Sequence, residues 1–182
     1  MDMGRDTDAI RVDALTGPRI RAEAEAGLCE LLRDAVHNGA SVGFLAPLGA
    51  AEAASWWRSV AEAAEQGVRS VWGAYDSDDG ILGVVTLVRA TYPNQRHRGD
   101  ISKLLVHTSA RGRGLGRRLL AAAETGAVDA GLSLLVLDTE TGSAAEGLYR
   151  SAGWTRAGTI PGYAGDPAGV PKPTTYYYKA LG

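Results

Sequence analysis

The stretch that most constrains this chain runs Val106-His107-Thr108-Ser109-Ala110-Arg111-Gly112-Arg113-Gly114-Leu115-Gly116-Arg117-Arg118-Leu119-Leu120, an apolar strand leading through a glycine-rich bend into a helix. Glycines at 112, 114 and 116 remove Cβ atoms where the helix begins, so its unpaired N–H groups are free to face a ligand pressed against the backbone. The helix dipole adds partial positive charge at that end, and Arg111, Arg113, Arg117 and Arg118 add formal charge. A pyrophosphate is the expected guest.

Spacing separates the glycine-turn classes. A nucleoside-triphosphatase loop needs Gly-Lys followed by Ser or Thr, whereas this chain has Gly116-Arg117-Arg118. A dinucleotide fold needs its fingerprint in a first βαβ unit, with an acidic residue about 20 positions later. Asp138 lies near that spacing, but roughly a hundred residues of α and β pattern precede the bend.

With 182 residues, 45% of them hydrophobic and 22% charged, the chain suits a single soluble domain over 1–182 with a frayed polar tail at 1–8. Its one cysteine, Cys29, excludes an intramolecular disulfide and agrees with a reducing compartment. No apolar run of about 18 residues is present, and the N-terminus is acidic rather than signal-like, so the expected location is cytoplasmic, away from membranes. Net charge is −2, yet eight basic residues lie between Arg89 and Arg118 against one acid, Asp100. A nucleic-acid binder is usually basic as a whole. A local patch beside a glycine bend fits a small polyanion better, with a solvated basic face as the plain alternative.

Residues 9–15 alternate as a first strand, broken by Thr16-Gly17-Pro18. Residues 19–38 carry an amphipathic stripe in which Cys29 shares a face with Leu32 and Val36, which marks it as packing; His37 closes the helix as a charge favourable to the dipole. Residues 49–66 form an alanine-rich helix with Trp56 and Trp57 as core anchors, or as walls of a pocket. Residues 69–75 and 81–90 form a hairpin around Asp76-Ser77-Asp78-Asp79-Gly80, a polar turn without the spacing of a calcium loop. A polar linker, 91–99, leads to the strand 100–106. Beyond the bend come a helix to Ala130, an apolar strand at 132–137, a short helix at 143–151, and strands at 154–160 and 174–181. Pro161 to Pro173 is expected to be a surface loop. His97 and His107 read as surface residues, and no metal-ligand spacing is present, so no metal is expected.

Arg111-x-x-Gly114-x-Gly116 after a strand resembles the acetyl-CoA loop of the GNAT N-acetyltransferase superfamily, and the order β-α-α-β-β-β-α-β-α-β-β extends the likeness over nearly the whole chain. Leu148-Tyr149-Arg150-Ser151-Ala152-Gly153-Trp154 is similar to the superfamily pattern Leu-Tyr-x-x-x-Gly-Phe. Residues 39–44, 109–117, 137–140, 155–156 and 161–163 look like the tabtoxin resistance protein group. One departure stands out: the asparagine common three residues before the helix alanine falls at Gly142, and Ser143 is the substitute for its contact to CoA.

The resemblance implies a mixed α/β (α+β) fold: about seven strands in one sheet, helices on both faces, and a splay between the fourth and fifth strands. It implies acetyl-CoA as co-substrate, with its pantetheine arm along Leu104, Leu105 and Val106 and its pyrophosphate on Arg111, Gly112, Arg113, Gly114, Leu115, Gly116 and Arg117. It maps the two acids of the resistance group onto Asp100 and Asp138, and a tyrosine facing the sulfur onto Tyr149. Asp100 is one methylene shorter than the usual glutamate. Each also has a plain reading: a strand-end charge opposite Arg98 for Asp100, a loop or capping carboxylate for Asp138, a packed ring for Tyr149. The implied activity is direct acetyl transfer to a small-molecule amine, such as a tabtoxin-like antibiotic or an amino-acid derivative. A peptide acceptor and a non-catalytic acyl-CoA-binding module are the alternatives. Oligomeric state is not encoded in any pattern here.

Overall fold

A computed structural model describes residues 10–182; the expected tail at 1–8, and Ala9 of the first strand, lie outside the described residues. Thr16 does more than break the first strand, β1 (Arg11–Leu15): its hydroxyl accepts from the Arg19 N–H at 3.4 Å and caps α1 (Gly17–Glu23), with Pro18 in the first turn where no N–H is required. The expected single helix over 19–38 is a continuous rod whose middle, Ala24–Leu28, widens into a π turn before α2 (Cys29–His37). Gly27 lies in that widened turn, where a Cβ would meet Ile81 Cγ2 at 2.5 Å. The side chain from the neighbouring strand therefore occupies the space the bulge opens.

The remaining elements are α3 (Ala50–Glu65), β2 (Arg69–Tyr75), β3 (Ile81–Arg89), β4 (Arg98–Val106), α4 (Leu115–Asp129), β5 (Leu134–Glu140), α5 (Ala144–Ser151), β6 (Thr155–Gly165) and β7 (Pro171–Ala180). The seven strands form one sheet in the order β1-β2-β3-β4-β5-β7-β6, antiparallel except where β4 meets β5. Alternation along β3 sends Val84 to one face and Val85 and Leu87 to the other, so each face has its own core. Ile20, Leu32, Trp57 and Val60 from the first three helices fill one core, and Leu115, Leu119, Leu120 and Ala123 of α4 fill the other. Trp57 is the anchor the sequence suggested: it is fully buried, and its Nε1–H donates to the Leu28 carbonyl at 3.0 Å. Cys29 packs at the margin of the same core. Among the described residues no helix is long and apolar enough to cross a membrane.

Two expectations are corrected. Residues 161–173 are not a loop: β6 continues to Gly165 and β7 begins at Pro171, leaving a short turn closed by Asp166, whose Oδ1 accepts from the Ala168 and Val170 N–H groups at 3.0 Å. Pro161 is tolerated because β6 is the sheet edge and its register with β7 breaks between Ile160 and Ala164, where Gly162 takes φ 59° and no ladder N–H is needed from the proline. His37 is not a cation serving the helix dipole. Its Nε2 accepts from the Leu48 N–H at 3.0 Å, which requires a free lone pair there and ties down the segment leading into α3.

Packing of α4 on the sheet depends on Gly126, where a Cβ would overlap the Trp72 ring, with Cη2 at 2.9 Å. In an exposed helix, glycine to alanine gains about 0.5–1 kcal/mol. Here the displaced indole outweighs that gain, so Gly126→Ala is expected to destabilise by about 1–3 kcal/mol in urea unfolding.

Candidate functional site

β4 and β5 run parallel through only three residue pairs, Arg98↔Leu134, Gly99↔Leu135 and Asp100↔Val136, and then part. β4 keeps its other neighbour, with Leu105 opposite Val84 and Val106 opposite Gly83, while β5 stays paired with β7 as far as Glu140. Their facing edges beyond Asp100 therefore carry backbone groups without a strand partner. At this point Val85 of β3 lies opposite two residues of β4, Lys103 and Leu104, a bulge in which Lys103 takes φ 50°.

A cavity of about 490 Å³ occupies the notch. Ile101 to Leu105 line one wall, and Asp138, Thr139, Glu140, Ser143 and Tyr149 the other. Residues 39–43 and the β6–β7 hairpin complete it, with the Ser41 hydroxyl donating to the Gly165 carbonyl at 3.2 Å and the Ala46 N–H to the Pro167 carbonyl at 2.8 Å. That hairpin, rather than a loop, closes over the notch.

The sequence-predicted acids separate. Asp138 is exposed to the cavity at the end of β5, its Oδ2 3.1 Å from the Thr174 hydroxyl, which also reaches the Thr139 carbonyl at 2.9 Å. Asp100 is not among the lining residues; Arg98 Nη1 donates to both its oxygens at 3.0 and 3.1 Å. Burial pushes the Asp100 carboxyl up, Arg98 pulls it down, and the Asp138 charge pushes it up again. Tyr149 lines the cavity at 6% exposure, packed between Trp154 and Tyr177 at centroid distances of 6.1 and 5.9 Å. Burial, then the nearby Asp138 charge, push its hydroxyl up to about 12. Ser143 caps α5, with its hydroxyl 3.2 Å from that of Thr139. Leu104 and Leu105 line the notch, and Val106 leads out of it toward the bend.

In the bend, Gly112 and Gly114 both take φ 75°, and Gly114 caps α4. Gly116 lies in the first turn of α4, as the sequence suggested, and a Cβ there would meet Leu148 Cδ2 at 3.3 Å, so its smallness also serves the approach of α5. Arg111 is exposed and Arg113 half-buried, with Leu115 fully buried beneath them. Arg117 donates to the Ser151 hydroxyl at 2.6 Å, and Arg118 to the Ile10 carbonyl. These two cations fasten α4 to its neighbours. The residues of the bend do not line the 490 Å³ cavity; they lie farther along the same chain path.

Several residues of the site escaped the sequence reading. Asp34 of α2 accepts from the Thr108 N–H at 2.9 Å and hydroxyl at 2.8 Å, with His107 Nε2 at 3.6 Å, and so pins the start of the bend. The hydroxyls of Tyr163, which lines the cavity, and Tyr176 are 2.6 Å apart. Glu146 accepts from the Tyr177 hydroxyl and the Gly142 N–H, both at 2.6 Å, and holds the turn that carries Ser143. Such long-range partners have no signature in local spacing.

Residues 67–156 match the family model described as the acetyltransferase (GNAT) domain. That segment is a GNAT acetyltransferase domain. Over 70 residues the chain is 40% identical to an "IAA acetyltransferase" of Azospirillum brasilense, a match that covers 38% of this chain and 46% of that relative. The stretch thus spans less than half the length of the curated relative. The GNAT architecture extends well beyond the matched segment. An N-acetyltransferase from Staphylococcus aureus Mu50 superposes with a TM-score of 0.79 at 19% identity, covering 95% of this chain and 99% of that one. A GNAT superfamily phosphinothricin acetyltransferase from Sinorhizobium meliloti, in complex with acetyl-CoA, superposes with a TM-score of 0.76 at 18% identity, covering 96% and 89%.

The Tyr177 hydroxyl, then the Gly142 N–H, hold the Glu146 carboxyl below its ordinary range, against the opposing effect of burial. A folded value below the unfolded one contributes stability that is complete above the unfolded glutamate range, near ~4.3, and is lost as pH falls through the lower folded value. Glu146→Gln is therefore expected to cost about 1–3 kcal/mol at neutral pH. Urea unfolding across pH should show the gap to wild type closing as acid titrates the native carboxylate.

Proposed function

We propose that the chain acts over its whole length as one acetyl-CoA-dependent N-acetyltransferase, moving an acetyl group to the amine of a small molecule by direct transfer. The observation that carries this reading is the parting of β4 and β5, which leaves unpaired backbone edges around a cavity on the strand that runs into the glycine bend. Leu104, Leu105 and Val106 fit an amide-bearing pantetheine arm, because a polar chain entering an apolar sheet needs backbone partners. Residues 111–117 fit its pyrophosphate at the start of α4. Ser143 stands at the mouth of the same notch as a further cofactor contact.

Bound acetyl-CoA would supply an acyl group activated as a thioester. The residues of this chain then have three tasks. Asp138, open to the cavity, takes the proton an alkylammonium must lose before it attacks, directly or through water. A backbone N–H near Leu105 steadies the developing oxyanion. Tyr149, whose hydroxyl stays protonated through the neutral range, donates toward the departing sulfur. Asp100, held by Arg98, acts on the site through its field rather than by touching substrate.

A small acceptor is favoured over a peptide because the 39–43 segment and the β6–β7 hairpin meet over the cavity. Tabtoxin-like antibiotics and amino-acid derivatives fall within that class. Titration calorimetry with acetyl-CoA, followed by thiol release and mass shift on a panel of small amines, tests the reading. Heat with turnover supports it, heat without turnover identifies a binding module, and no heat overturns it. Tyr149→Phe is expected to lower kcat by about 10²–10⁴-fold while acetyl-CoA affinity changes little. Asp138→Asn is expected to lower kcat/KM by about 10²–10⁴-fold, and an unchanged rate would remove Asp138 from the base role.

A further inference from the structure

The cavity holds a cation that acetyl transfer itself does not use. Lys103 stands at the β4 bulge in a left-handed conformation that few L side chains adopt, and it lines the notch. Its Nζ lies 5.4 Å from the Trp56 ring centroid and 5.8 Å from that of Phe44. Gly43 adjoins it, where a Cβ would meet Nζ at 3.7 Å. The Lys103 side chain thus lines the notch while its ammonium stands over two aromatic rings that lie outside the cavity lining. Among the described residues Lys103 makes no ion pair, and Asp138 is the one carboxylate whose field raises its affinity for a proton.

A second cation stands against the same indole. The Arg69 guanidinium lies 5.7 Å from the Trp56 ring, and its buried Nε finds no hydrogen-bond partner. Two like charges on one indole repel, and burial, then Arg69, lower the affinity of Lys103 for its proton. An anion beside Lys103 relieves both effects. On the opposite wall Asp138 and Glu140 offer carboxylates. One end of the cavity is therefore positive and the other negative, a distribution complementary to a molecule that carries an ammonium and an anion together.

We propose that Lys103 recognises the carboxylate of the acceptor, so that the acceptor is an amino acid or an amino-acid derivative with a free carboxylate rather than a simple amine. This inference rests on the acetyl-transfer reading given above. A diamine or polyamine would bring a second positive charge to Lys103 and is disfavoured. Trp56, read from the sequence as a core anchor or a pocket wall, acts here as the floor under Lys103.

The test compares amino acids with their decarboxylated analogues as acceptors: L-lysine with cadaverine, L-ornithine with putrescine, γ-aminobutyrate with propylamine. Each is incubated with acetyl-CoA and followed by thiol release and mass shift. Wild type is expected to prefer the acids by about tenfold or more in kcat/KM, the size of one hydrogen bond to a charged partner. Lys103→Met should collapse that ratio, and Lys103→Arg should retain it, with thermal unfolding and acetyl-CoA calorimetry reporting that both variants fold. Equal use of acid and analogue by wild type overturns the proposal. So does an equal loss on both in Lys103→Met, or acetyl-CoA binding with no acid of the panel turned over. Failure of wild type to bind acetyl-CoA is a separate result that overturns the acetyltransferase reading, and the acceptor assignment with it.

Discussion

The site depends on a sheet that stops pairing. Parallel bonds between β4 and β5 end at Asp100↔Val136, while each strand stays paired on its outer side, β4 with β3 on both sides of the bulge and β5 with β7. Neither strand can swing inward to close the gap without losing those outer ladders. The exposed N–H and C=O groups in the notch therefore stay available to a ligand that brings amides of its own. The bulge at Lys103 belongs to the same region, where one extra residue opposite Val85 interrupts the β3–β4 ladder just past the last β4–β5 pair.

Around this gap the structure spends its polar contacts on rigidity. Asp34 clamps Thr108 from α2, Glu146 clamps Gly142 from α5, and Arg117 and Arg118 fasten α4 to Ser151 and to the residue before β1. A transfer between two bound partners gains most from such fixing, because groups held in register need not find each other by diffusion. The aromatic packing of Tyr149 between Trp154 and Tyr177 serves the same end, fixing where its hydroxyl stands.

Much of this was legible in the residues. The glycine bend, the apolar run of β5 and the stripe on α2 follow periodicities that local sterics enforce, and the seven-strand mixed sheet with helices on both faces agrees with what the resemblance implied. The misreadings share a cause. Pro161 marks a loop in isolation, yet an edge strand with a register break accommodates it. His37 at a helix end suggests a cation, yet a backbone N–H eleven residues on makes it an acceptor. In each case the deciding partner is remote in the chain.

The sequence by itself determined the order of elements and the glycine bend with its flanking arginines, because backbone freedom, helical and strand periods and charge are properties of short segments. Only the tertiary structure decided that Asp138 and Tyr149 share a cavity while Asp100 turns to Arg98, and that Lys103, without an ion pair among the described residues, stands against Trp56 and Phe44. Those arrangements come from where two strands stop pairing and which helices pack beside them. Contacts between residues far apart in sequence set both, and no local pattern records them.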